Sequence, residues 1–150
     1  MSLRALFASQ LTDSDPEARD VLGAIREGGD GKRYKYVKFI TSTVVAGDAV
    51  KYADSAGYTA NEVLPNATPA ATVAGVALAT QAVNQFGWIQ ISGKVTLSAA
   101  PTGTASDGGA LISSGTTKKL AVATPTDIQR PCGVMLDAAA PTIAILDCPV

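Results

Sequence analysis

The sequence predicts a mainly β protein: a small barrel or sandwich of short strands built from two similar halves, with an N-terminal arm and one short α-helix. Three observations carry this. Residues 73–78 and 88–93 are short apolar runs. In the second, Trp88, Gln90 and Ser92 point one way and Ile89 and Ile91 the other, as strand side chains alternate. The 14 glycines and 8 prolines punctuate such runs as turns. Finally, the order repeats: residues 105–112 stand where 46–52 stood, about 61 positions on, and Gly133 follows Gly75 by 58. Residues 46–98 and 105–148 are therefore read as an approximate internal repeat.

A chain of 150 residues is one domain, or one domain with an arm. We divide it at residue 31, with the arm and helix before and the β-rich body at 32–150. Residues 1–12 hold Leu3, Leu6, Phe7 and Leu11 without a clear period, which marks a strand pairing elsewhere or an arm ordered by a partner. Ser14 as N-cap, Pro16 in the first turn and Glu17 completing a capping box then open a helix over about 14–27. Ala18, Val21, Leu22 and Ile25 form its apolar stripe, and Gly28 and Gly29 end it. Residues 28–31 read as a flexible joint.

Residues 32–40, KRYKYVKFI, form a strand whose lysines suit a sheet edge. The same residues would also serve contact with an acidic protein surface or, less readily, nucleic acid. After it come a Gly47-Asp48 turn with a short strand, loop-rich stretches at 54–58 and 61–69, and the hairpin of residues 73–93. Gly87 permits a turn or bulge just before Trp88. The second half offers a strand at 118–123, a loop at 124–131 and a hairpin at 132–147.

Composition excludes much chemistry. There is no histidine, so every Ser-His-Asp or Cys-His arrangement is ruled out, and a metal site is disfavoured. The body's carboxylates (Asp48, Asp54, Glu62, Asp107, Asp127, Asp137, Asp147) nearly all adjoin Gly, Pro or Ala in turns, where capping explains them. No enzyme and no cofactor are expected. Net charge is −1, which argues against a nucleic-acid partner, and no apolar run reaches the roughly 20 residues of a membrane span. No convincing signal peptide opens the chain, so synthesis in cytoplasm is expected. Cys132 and Cys148 read as buried reduced thiols, with a hairpin-bridging disulfide as the alternative. Trp88, the only tryptophan, either covers one end of the barrel or stands exposed as a platform for a sugar or an interface. Of the 25 charged residues, 13 precede residue 39, leaving a body surface of small polar side chains suited to close packing.

Gly47-Asp48-Ala49-Val50, Ala74-Gly75-Val76-Ala77-Leu78 and Gly87-Trp88-Ile89-Gln90-Ile91-Ser92-Gly93, on this sparsely charged background, resemble the head decoration (cement) proteins of tailed bacteriophages. The resemblance covers residues 32–150 and is one of texture. It implies a non-enzymatic virion protein, made in the host bacterial cytoplasm, that binds the outer capsid surface and bridges capsomers. The implied partner is the major capsid protein, and the implied state a homo-oligomer, with a trimer favoured. Leu3, Arg4, Leu6, Phe7, Leu11, Arg19, Lys32, Arg33 and Lys35 are the contact residues expected of the arm and its flank. A receptor- or glycan-binding module of a tail or surface appendage is the alternative, and a head-completion or tail-tube part a further one.

Overall fold

The computed structural model describes residues 7–54, 59–66, 72–127 and 129–149. Ten strands run through them: β1 (Ile25–Glu27), β2 (Arg33–Phe39), β3 (Ala49–Tyr52), β4 (Glu62–Pro65), β5 (Val73–Ala77), β6 (Gln85–Thr96), β7 (Ala110–Ser113), β8 (Leu120–Val122), β9 (Gly133–Met135) and β10 (Ile143–Asp147). The sheet order is β1-β2-β4-β3-β5-β6-β10-β9-β7-β8, and a further β2–β6 pairing closes β2, β4, β3, β5 and β6 into a five-stranded barrel. The fold is mainly β, and the barrel is present.

Several ladder positions of the two halves correspond. Val50 opposes Gly75 and Ala49 opposes Val76, while Leu111 opposes Gly133 and Ala110 opposes Val134. On the far side of β5, Val76 faces Gln90 and Ala77 faces Ile89. On the far side of β9, Val134 faces Ile145 and Met135 faces Ala144. The β3–β4 ladder, Tyr52 to Val63, returns as the β7–β8 ladder, Ser113 to Leu120. Backbone bonds repeat too. Ala77 N–H donates to the Asp48 carbonyl at 2.9 Å, and Met135 N–H donates to that of Gly109 at 2.8 Å.

Strand β6 serves both halves. Its residues 85–92 pair with β2, and its residues 92–96 pair with β10. In these ladders Tyr36 meets Trp88 as Thr96 meets Ile143, so the end of β6 does for the second half what β2 does for the first. The changeover falls at Gly93, whose φ of +91° a side chain would strain. Among the described residues no strand pairing closes the second half; Thr102 bridges in parallel to Ala121 and donates its N–H to the Leu120 carbonyl at 2.9 Å, leaving an incomplete second barrel. In the first, Ile40 makes the matching bond to Val63.

One core fills both halves, from Val37, Phe39 and Ile91 to Leu111, Met135 and Leu146. Asn66, fully buried, stitches them together. Its Nδ2 donates to the Lys119 carbonyl at 2.6 Å, and its Oδ1 accepts from Ser113 Oγ at 2.8 Å. Cys132 and Cys148 lie in this core as free, buried thiols. A hydrogen bond with Cys132 and then burial hold the Cys148 thiol well above its usual range, which favours the protonated thiol. Replacing both by alanine should cost about 1–3 kcal/mol of lost packing. Reductant should leave the wild-type melting temperature unchanged; a fall on reduction would reveal a disulfide.

The N-terminal reading needs correction. No helix spans 14–27. Asp15 bridges to Phe86, residues 25–27 form β1 against β2, and Gly23, mid-way along the expected helix, sits at φ +83°. The supposed stripe splits: Leu22 packs inward while Val21 is 79% exposed. The capping signals are local, and pairing with β2 and β6 outweighs them. The glycine joint is instead the β1–β2 hairpin turn, with Gly28 N–H bonded to the Lys32 carbonyl at 2.8 Å. Strand β2 is no edge, since β1 and β4 share one side and β6 takes the other. Nor does Gly87 make a bulge. It pairs in register with Val37, and it lacks a side chain because the Gln81 amide and the Asp13 carbonyl lie against it.

Candidate interaction surface

Alternation along β2 and β6 puts Val37, Phe39, Ile89 and Ile91 inside and Tyr34, Tyr36 and Trp88 outside. That outer wall is covered. Phe7, Leu11, Leu22 and Ala24 pack over it, so residues 7–24 form a strap across the first barrel and not a free arm. Phe7 meets the Trp88 ring edge-on with centroids 5.1 Å apart, and Arg26 lies over Phe7 at 5.5 Å. Trp88 is 0% exposed, and its Nε1 donates to Ser9 Oγ at 2.9 Å. Of the two readings of Trp88, the structure takes the covered one, although the ring lies beneath the strap and not at a barrel end.

Asp20 fastens the strap. Its carboxylate accepts the Ala8 N–H at 2.9 Å, the Ser9 N–H at 3.0 Å and the Ser9 hydroxyl. Desolvation would raise its pKa, but these hydrogen bonds and the Arg26 charge together take it below the usual 3.8. A lowered carboxylate pKa adds stability that is complete above the unfolded value and disappears as pH falls through the folded one. Trp88 fluorescence should therefore hold steady down to about pH 4 and shift red only below it. Asp20→Asn should loosen the strap already at neutral pH. A red shift beginning near pH 6 would assign the acid response to another group.

The expected contact residues scatter. Leu3, Arg4 and Leu6 lie outside the described residues. Phe7 and Leu11 are used within the chain. Arg19 pairs through Nε with Asp15 at 2.9 Å while its N–H donates to the Tyr36 hydroxyl. Lys32 reaches Asp30 at 3.4 Å and Arg33 reaches Glu27 at 3.7 Å, both as partly exposed pairs of little energetic weight. Lys35 is 5% exposed, donates to the Tyr52 hydroxyl at 2.8 Å and has its pKa lowered by burial, so it cannot meet a partner.

The surface that the sequence reading missed is on the second barrel. Val134, Leu136 and Ile145 are 38%, 40% and 39% exposed, and Ile145 stands directly between Val134 and Lys94 in the ladders. Ile143, half-buried, continues the patch opposite Thr96. A signal was present: in Ile143-Ala144-Ile145-Leu146 both faces of the strand are apolar, where a wall facing water alternates with polar residues. Beside this wall lies a cleft of about 490 Å³ lined by Leu78, Gln90, Lys94 and Thr96 among others. No family model matches the chain, and no curated protein or solved structure is significantly similar to it.

Proposed function

We propose that this chain is a non-enzymatic structural virion protein that binds the outer surface of a phage capsid and stabilises it by bridging capsomers. The observation that carries the reading is the bare apolar wall of Val134, Leu136 and Ile145, where exposed apolar side chains stand side by side on paired strands and their end. Such a wall on a rigid sheet suits protein contact, and many copies on a lattice make a weak single contact sufficient. The glycan-binding alternative drew on exposed aromatic rings, yet Trp88, Tyr34, Tyr36 and Tyr52 are all buried. The attachment surface also moves in this reading from the N-terminal segment to the second barrel. Co-sedimentation with purified capsids of the same virus tests the role, with mass in solution measured alongside to test the trimer. Saturable binding that raises the capsid's melting temperature is expected; a protein that stays in the supernatant would refute it.

A further inference from the structure

We infer that the outer wall of β9, β10 and the end of β6 is a docking site for an extended apolar peptide segment of a partner protein. The occupant lies there as residues 7–24 lie on the first barrel. The paired ladders make Trp88 equivalent to Ile143, Gln90 to Ile145 and Val76 to Val134. They also make Tyr36 equivalent to Thr96 and Tyr34 to Lys94. In the first barrel Phe7, Leu11 and Leu22 cover the Tyr34, Tyr36 and Trp88 part of this wall, while Val76 is buried in the main core and Gln90 lines the cleft; in the second, Val134 and Ile145 are open.

The two walls are continuous. Along β6 the outward side chains run from Trp88 beneath the strap to Lys94 and Thr96 on the open wall, and Lys94 and Thr96 also line the neighbouring cleft. Size then selects the occupant. Three strands at about 4.8 Å spacing and two outward rows about 7 Å apart span at most a few hundred Å². A second copy docked face to face needs about 800 Å² per partner. An extended segment does not, because it wraps the patch and enters the cleft beside it, as strand-like peptides do on other sheets. Charge adds the last feature. Lys94 adjoins Ile145 and makes no ion pair among the described residues, while Asp147 ends the same outward face, so the segment sets a carboxylate against Lys94, away from Asp147, beside its aromatic or leucine side chains.

The proposal draws on the capsid reading only for who the partner is. Its test is selection of a random twelve-residue peptide library on the full-length protein, with counter-selection on Ile145→Lys. Peptides rich in Phe or Leu with an acidic residue should emerge. They should bind Ile145→Lys and Val134→Lys at least tenfold more weakly, and Thr41→Lys, a charge-matched control on the first barrel, unchanged. Both wall variants should keep the wild-type melting temperature, because the replaced side chains are already exposed. An absence of enriched peptides, or peptides that bind Ile145→Lys equally well, would overturn the site. So would a wild-type dimer in sedimentation velocity that Ile145→Lys splits, since a second copy would then be the occupant. Success with peptides alongside failure to bind capsids would refute the capsid role and leave the site standing.

Discussion

Trp88→Ala should destabilise the protein by about 3–5 kcal/mol, the range for deleting a large buried aromatic ring. Nothing can collapse into the space cheaply. Trp88 is fully buried, packed edge-on by Phe7 and tilted against Tyr36, with both ring centroids 5.1 Å away. The change also removes the donor to Ser9 Oγ, the hydroxyl that the Asp20 carboxylate holds. The strap should therefore come loose before the barrel melts. Urea denaturation measures the first effect, and proteolysis within residues 8–24 under native conditions measures the second. A chain truncated to begin at Lys32 should be worse still, since it bares Tyr34, Tyr36 and Trp88 together and deletes β1. A truncated protein as stable as the full chain would show that the strap contributes nothing to folding.

Local and near-local features were legible in the sequence. Alternation in Trp88-Ile89-Gln90-Ile91 sorted the buried core from the outer wall, and the offsets of residues 105–112 from 46–52 and of Gly133 from Gly75 join positions that pair alike, Val50 with Gly75 and Leu111 with Gly133. Failures occurred where distant pairing decides the outcome. Ser14, Pro16 and Glu17 are good helix-opening signals, but Asp15 exchanges two backbone bonds with Phe86, far away in sequence, and those prevail. Lysines 35 and 38 imitated an edge, yet β2 pairs with β1 and β4 on one side and with β6 on the other, and only the topology reveals these distant partners. Strand β6 continues to Thr96 and so pairs with both β2 and β10. The interaction wall was missed for a related reason. Apolar residues on both faces of a strand look like a buried strand, and only the topology tells that β9 and β10 have one face open.

Gly75→Ala and Gly133→Ala should each cost about 3 kcal/mol, the upper end of what overpacking does. A methyl group on Gly75 would overlap the Gln90 carbonyl oxygen, and one on Gly133 would overlap that of Ile145. Both obstacles are backbone atoms of a paired strand, so no side chain can turn aside, and β5–β6 or β9–β10 must separate. Neither glycine has a positive φ, so the cost comes from this approach and not from backbone conformation. Alanine's smaller unfolded-state entropy returns only about 0.4–1 kcal/mol and does not offset it. The two positions are equivalent in the repeat, so their urea midpoints should fall together. Their consequences for binding should differ. Gly133→Ala distorts the wall carrying Val134 and Ile145, whereas Gly75→Ala disturbs the barrel already covered by residues 7–24. Equal destabilisation with peptide binding lost only in Gly133→Ala is the expected pair of results. Loss of binding in both, at temperatures where both remain folded, would place the docking site across the two barrels together.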